Sequence, residues 1–137
     1  MSSTARNIAL SRESETILQM DPDAEVEKVE KLGLEWAEKD ATASILEETK
    51  KTLLAQLIQG EQMGAKAAGG RALPMNQAEN NAMADPRYEA HLKAMVQARK
   101  EANRAKVQYD SGRVRIELMR SLVAARREEM RLGGFRT

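Results

Sequence analysis

A seven-residue repeat in the second half of the chain constrains the fold more than any other sequence feature. Between residues 88 and 130, every seventh position is apolar. An unbroken repeat at this spacing is typical of one face of a long α-helix that packs against another helix. The repeat consists of Tyr88, Met95, Ala102, Tyr109, Ile116, Val123 and Met130. We predict that these residues form a core or an oligomer seam.

A second line of positions, three residues further on, is small at its centre, where it carries Ala98, Ala105 and Gly112. Small residues on a helix face allow a neighbouring helix to approach closely. A glycine lowers helix stability by about 1 kcal/mol relative to alanine, which would favour a turn at Gly112. Because the heptad phase passes through Gly112 unchanged, we predict a continuous helix there.

Two Asp-Pro pairs indicate where the long helices begin. In Asp21-Pro22 and in Asp85-Pro86, the carboxylate can accept hydrogen bonds from the first free N–H groups. The proline supplies a preset φ at the first helical residue. Glycines follow each helical stretch and favour its end. These signals predict helices over about residues 22–59 and 86–132, and a connection over 60–85 with a short helix at 74–84.

The first long stretch carries the same repeat less cleanly, with Trp36 on its apolar line and Lys50 as an interruption. Two helices with complementary stripes predict an all-α fold, in which they form an antiparallel coiled-coil hairpin with a short helix in the connection. Residues 21–137 would form this single domain, preceded by a flexible N-terminal segment, residues 1–20. One flank of each stripe would stay exposed, so we expect a homo-oligomer, a dimer or higher. Trp36 belongs to the same predicted seam.

Charge divides the chain into an acidic first part and a basic second part. Residues 1–85 contain 9 Lys and Arg against 15 Asp and Glu, whereas residues 86–137 contain 13 against 6. Such a division suits a nucleic-acid surface, and it equally suits two segments that attract each other. Composition alone does not decide between them.

A row of basic residues beside the apolar repeat is the leading candidate for a functional site. Its members recur every seven residues, about 10.5 Å apart along a helix, and can follow a phosphate backbone without sequence preference. The row consists of Arg99, Lys106, Arg113, Arg120 and Arg127. In the alternative interpretation, these are flanking coiled-coil positions that pair with acids of the first helix. The acidic partners would be Glu27, Glu30, Glu35, Glu38, Glu47 and Glu48.

The residue types that catalysis and metal binding need are scarce. The chain has no Cys and a single His, His91, so a structural zinc site or a His-dependent nucleophile lacks its other members. We predict a non-enzymatic protein with no catalytic residues, no metal and no cofactor. No apolar run exceeds four residues, which predicts no membrane association. The absence of Cys favours a cytoplasmic location.

Three charge-rich segments carry a family resemblance: Leu34–Asp40, Ala98–Ala105 and Arg126–Met130. With their surroundings, residues 34–58 and 85–132, they resemble small helical proteins of bacteriophages and prophages, which often lie among early or recombination genes. The resemblance implies a setting in phage DNA metabolism, in the host cytoplasm. It also implies a role as an accessory to a recombinase or as a weak single-strand binder, and it brings no catalytic residues.

The sequence therefore predicts an accessory protein that binds nucleic acid through the basic row. Single- or double-stranded DNA would be the direct partner, or a DNA-recombination or replication enzyme would take its place. The alternative is a structural or regulatory coiled-coil module, such as a virion component or an inhibitor of a host protein, that binds no nucleic acid.

Overall fold

A computed structural model describes residues 12, 15, 16 and 18–134 of the chain, and it is all-helical in that part. Helix α1 is Pro22–Ala67, α2 is Met75–Met83 and α3 is Pro86–Gly134. No strand occurs among the described residues, so the predicted all-α class is confirmed. The flexible segment predicted for residues 1–20 lies largely outside the described residues.

Aspartate side chains cap the starts of both long helices. The Asp23 N–H donates to Asp21 Oδ1 at 3.1 Å, and the Arg87 N–H donates to Asp85 Oδ1 at 2.8 Å. The Arg87 guanidinium also donates to the second oxygen of Asp85, at 2.9 Å. These hydrogen bonds from the Arg87 side chain and backbone hold the pKa of Asp85 below its ordinary value. The capping role predicted for both Asp-Pro pairs is confirmed.

Helix α1 is longer than predicted, because it continues past Gln59 and through two glycines to Ala67. Its end is set by Gly69, which has a φ of +84°, in the region that favours glycine. The Gly69 N–H donates to the Lys66 carbonyl at 3.0 Å and the Gly70 N–H to the Ala65 carbonyl at 3.2 Å. This pair of bonds is a Schellman motif, which satisfies carbonyls of the last turn. The predicted end at residue 59 was therefore wrong, since an isolated glycine does not stop a helix unless it takes this conformation.

The other two helices differ from the predicted bounds by one or two residues. Helix α2 is Met75–Met83, against 74–84, and it buries Ala78 and Ala82. Helix α3 runs to Gly134 rather than to residue 132. It passes through Gly112 without a break, so the prediction of a continuous helix at that point is confirmed.

Contacts divide the chain into two compact units. The middle unit is Glu35–Ala105, and the terminal unit comprises the residues up to Leu34 and from Lys106 onward. Helices α1 and α3 each contribute to both units.

The middle unit has a small apolar core where all three helices meet. Leu57 of α1, Ala82 of α2 and Tyr88 of α3 are buried together. Burial of side chains of this size against one another is the main favourable contribution to helix packing. Leu53, Leu54, Ile58 and Leu92 pack around these three residues.

A polar contact joins α3 to α1 further along the middle unit. His91 Nε2 lies 2.7 Å from the Leu46 carbonyl oxygen, and both groups are partly buried. Because a carbonyl only accepts, Nε2 must carry the proton in this contact. The lone histidine of the chain is thereby accounted for as a link between two helices.

In the terminal unit, two glycines allow α1 and α3 to approach closely. A Cβ added at Gly33 would lie 3.0 Å from the Tyr109 ring, and a Cβ added at Gly112 would lie 2.9 Å from Val29 Cγ2. Real Cβ atoms essentially never come within less than 3.0 Å of another atom, as at Gly112, and a contact of 3.0 Å, as at Gly33, is tighter than nine in ten of those observed. Each helix therefore receives a side chain of the other in a notch that only glycine provides.

The residues of the predicted seam differ widely in burial. Tyr88 and Ala102 are buried, while Met130 is 72% exposed. Trp36, Met95, Tyr109, Ile116 and Val123 are half-buried. Among the described helices, none carries an apolar stretch sufficient to cross a membrane.

Candidate nucleic-acid interface

Arg99, the first member of the basic row, is held by acidic residues of α1 in the middle unit. Its Nε donates to Glu47 Oε1 at 2.6 Å and its Nη1 to Asp40 Oδ1 at 2.7 Å. Nη2 also approaches Ser44 Oγ at 3.5 Å. Asp40, Ser44 and Glu47 are spaced four and three residues apart, which places them on one face of α1. The guanidinium thus has a ready-made set of acceptors.

The charge of Arg99 is used within the protein, where it is paired with two carboxylates of α1. Hydrogen bonds to Glu47 and to Asp40, in that order, raise the pKa of Arg99 above its ordinary value. A phosphate would have to displace two carboxylates to reach it. Arg99 therefore matches the interhelical pairing that the sequence left open as the alternative, and it does not fit a free phosphate-binding position.

Arg113 and Tyr109 form a pair on α3 in the terminal unit. The Arg113 guanidinium carbon lies 5.7 Å from the centre of the Tyr109 ring, a distance typical of a cation–π contact. Arg113 remains exposed, because the ring covers only one side of the guanidinium.

The last two members of the row, Arg120 and Arg127, are exposed on the same helix. Within the part of the chain that the structure describes, neither forms an ion pair or a side-chain hydrogen bond. Lys106 is also exposed, although it has an interaction partner in the chain. The row predicted from sequence is thus one paired arginine in the middle unit and, in the terminal unit, one exposed lysine that has a partner and three exposed arginines, one of which also contacts a ring.

Three further described arginines of the terminal unit, which the seven-residue spacing did not select, are also exposed: Arg115, Arg126 and Arg131. Arg115 donates from Nη2 to the Met20 sulfur at 3.2 Å, which is a weak acceptor, and Arg126 lies near the end of α3. From Lys106 to Gly134, α3 carries seven Lys or Arg against four Asp or Glu. The excess of arginine over this whole stretch was the signal available in the sequence.

The acidic partner Asp40 was also missed, whereas Glu47 was among the expected glutamates. Asp40 could have been found from its spacing, since it lies seven residues before Glu47 on the same helix face. Comparisons with known proteins add no family to these observations. No family model, no curated protein and no solved structure matches the chain.

Proposed function

We propose that the chain binds nucleic acid without sequence preference, through an arginine row on α3 that consists of Arg113, Arg120 and Arg127. The setting proposed for this activity is the one implied by the sequence resemblance, phage DNA metabolism. The partner would be single- or double-stranded DNA itself, or a recombination or replication enzyme that holds it. No catalytic step is assigned to the chain.

A contrast between two arginines carries the proposal. Arg99 has two carboxylates within 2.7 Å, whereas Arg120 is exposed and has no ion pair among the described residues. An unpaired guanidinium keeps its full capacity to form paired hydrogen bonds with a phosphate. The charge of the terminal part of α3 is therefore available to a partner in a way that the charge of Arg99 is not.

The spacing of the arginine row supports contact with a backbone rather than with bases. Residues seven apart on a helix lie about 10.5 Å from each other along the axis, so the three side chains sample about 21 Å of a strand. Contacts to phosphate carry no sequence information. Tyr109 is the aromatic residue next to the row, and its ring already contacts Gly33 and Arg113. The binding is therefore expected to be mainly electrostatic.

The test is a salt titration of binding to labelled single- and double-stranded DNA. Three phosphate contacts predict a slope of log K against log salt of about −2 for single strands. The double variant Arg120→Glu with Arg127→Glu should weaken binding by about ten-fold or more at low salt and flatten the slope. The assembly mass and the helical content should stay unchanged, since both side chains are exposed.

The matched control is Lys93→Glu with Lys100→Glu. These two lysines lie on the same helix, seven residues apart, in the middle unit, and the substitutions change the net charge by the same amount. The control should bind DNA nearly as the unchanged chain does. Equal weakening by both double variants would show that net charge, and not the arginine row, governs binding. No binding of the unchanged chain at low salt would refute the proposal.

A second function class has one observation in its favour. The Arg99 contacts with Asp40 and Glu47 show that the acidic face of α1 meets the basic face of α3 within the middle unit. If the rest of the row were used in the same manner, the chain would be a structural or regulatory coiled-coil module. In that case Arg120→Glu with Arg127→Glu should lower the thermal midpoint or the assembly mass and leave no DNA affinity to measure.

The packing of the long helices is part of the same proposal. In the terminal unit, Gly33 meets Tyr109 while the earlier residue Val29 meets the later residue Gly112. In the middle unit, Leu57 packs with Tyr88 while the earlier residue Glu47 meets the later residue Arg99. Both orders support antiparallel coiled-coil packing of α1 against α3 within each unit. Homo-oligomerisation is proposed as well.

A further inference from the structure

In the terminal unit, α3 carries a stripe of apolar residues that stays largely exposed. Val107 and Val114 are each 63% exposed, and Leu118 is exposed as well. Gly112, which meets α1, lies two positions before Val114, and two positions correspond to about 200° around a helix. Val114 therefore faces away from the contact between the two helices, whereas Val107 and Ser111 border a groove that Val29 and Leu32 of α1 also line.

The spacing of the stripe is that of a second coiled-coil seam. Val107, Ser111, Val114 and Leu118 follow one another at intervals of four, three and four residues. This alternation lines up residues on one side of a helix and fits a facing helix of the same period. The partner that such a stripe accepts is therefore another helix.

The charged residues along the two edges of the stripe indicate which kind of partner helix can bind it. Asp110 and Glu117 lie along one edge of the stripe, and Arg115 lies along the other. Neither acidic residue forms an ion pair among the residues that the structure describes, and Arg115 contacts only the weak acceptor of Met20. Anionic lipid would be repelled by the acidic edge. A helix with one acidic and one basic edge fits, and α3 itself is such a helix.

We propose that the stripe, defined as Val107, Ser111, Val114 and Leu118, binds the same stripe of a second copy of this chain, with the two α3 helices parallel. In a parallel coiled coil, flanking charges pair with the opposite edge of the partner helix, five residues further on. Asp110 and Arg115 are five residues apart. Each Asp110 would therefore meet the partner's Arg115, twice by symmetry. An antiparallel pairing would bring edges of like charge together.

This surface and the arginine row can be occupied at the same time. Arg113 precedes Val114 by one residue, so its side chain points about 100° away from the stripe. The proposal is independent of nucleic-acid binding, because it rests on apolar exposure and on the Asp110 and Arg115 edges. Its failure would leave the DNA titration unaffected.

The first experiment measures mass against concentration by sedimentation equilibrium, from about 1 µM to about 1 mM, the range in which a short seam should associate. Val114→Glu should weaken self-association by about ten-fold or more, because it buries a charge in the seam. The matched control is Val96→Glu, since Val96 is 65% exposed on the same helix but in the middle unit. Helical content should stay constant in both variants. A chain that remains monomeric throughout, or a dimer that Val114→Glu leaves intact, would overturn the proposal.

The second experiment tests orientation with a single introduced cysteine. The chain has no Cys, so Ser111→Cys provides the sole thiol. In the parallel arrangement, Cys side chains at position 111 of the two copies face each other, and mild oxidation should cross-link most of the dimer. Failure of this cross-link in a chain that still dimerises would overturn the parallel arrangement. Asp110→Arg gives an independent check: it should weaken a parallel dimer, whereas strengthening would indicate an antiparallel one.

Discussion

In the middle unit, α1 and α3 are joined by an apolar core, by the His91 contact and by the Arg99 ion pairs, whereas in the terminal unit the close contacts centre on two glycines. The same two helices and the same heptad repeat thus serve both units with different side chains. In the middle unit, Arg99 of α3 forms ion pairs with carboxylates of α1. In the terminal unit, glycine brings the helices together, and the arginines of α3 remain exposed. A repeat in the sequence therefore predicts that helices pack, but it does not predict which charges are left for a partner.

The substitution with the largest expected effect on stability tests whether the middle unit depends on its apolar core. Leu57→Ala should lower the free energy of unfolding by about 2–4 kcal/mol, because Leu57 is buried with Ala82 and Tyr88. Leu34→Ala should change it by less than about 0.5 kcal/mol, because Leu34 is exposed. Urea denaturation followed by circular dichroism measures both. Similar effects of the two substitutions would contradict the assignment of Leu57 to a core.

The substitution with the next largest expected effect on stability tests whether the terminal unit depends on its glycine notches. Gly112→Ala gains about 1 kcal/mol of helix propensity but forces a methyl group against Val29. Overpacking costs about 1–3 kcal/mol, so we expect a net loss of stability of about 1 kcal/mol. Gly64→Ala meets nothing within 4 Å and should stabilise the chain by about 0.5–1 kcal/mol.

Adding Val29→Ala to Gly112→Ala checks the cause of that loss. The smaller side chain removes the methyl group that the new Cβ would meet, so the double variant should be more stable than the sum of the two single effects. Simple additivity of the two effects would show that Val29 and residue 112 are not coupled, and would refute the notch.

A smaller effect on the thermal midpoint is expected when two arginines of α3 are replaced in turn. Arg99→Ala should lower the thermal midpoint, since it leaves Asp40 and Glu47 close together without their shared cation. Arg120→Ala should leave the midpoint unchanged. Combining Arg99→Ala with Asp40→Ala in a double-mutant cycle isolates the ion pair. An equal response of the midpoint to both arginine substitutions would remove the contrast on which the proposed interface rests.

The smallest effect concerns the cap of α3. The pKa of Asp85 is lowered from its ordinary value of 3.8, so the folded state favours the charged carboxylate. Its contribution to stability is present above that value and is lost as the pH falls through the lowered pKa. The thermal midpoint should therefore fall slightly less between pH 5 and pH 2, a range of about three pH units, in Asp85→Asn than in the unchanged chain. The comparison is made by circular dichroism across that pH range.

Much of the fold could be predicted because its signals are local. The Asp85-Pro86 pair indicates where α3 begins, and the unbroken heptad repeat predicts that the helix continues through Gly112. The end of α1 could not be placed, because Gly60 and Gly69 look alike in sequence and only Gly69 takes a positive φ. That difference arises from the Schellman bonds of the last turn, which depend on conformation.

The candidate site was predicted less completely, because charge pairing depends on contacts between distant residues. The sequence placed Arg99 and Arg120 in one row, and nothing in their spacing distinguishes them. The distinction comes from Asp40 and Glu47, which are more than fifty residues away from Arg99. Similarly, Gly33 gave no sign that it would receive the Tyr109 ring.

The glycine notch at Gly33 also bears on an ambiguity that heptad sequences carry. Helices with a seven-residue repeat can slide past each other by one repeat and still match apolar residues with apolar residues. A slide of that size in the terminal unit would bring Val26 against Tyr109 in place of Gly33, and Pro22 against Gly112 in place of Val29. The ring would then meet a branched side chain where it needs an empty space. Gly33 therefore disfavours this slide, because the Tyr109 ring packs against a residue that has no Cβ.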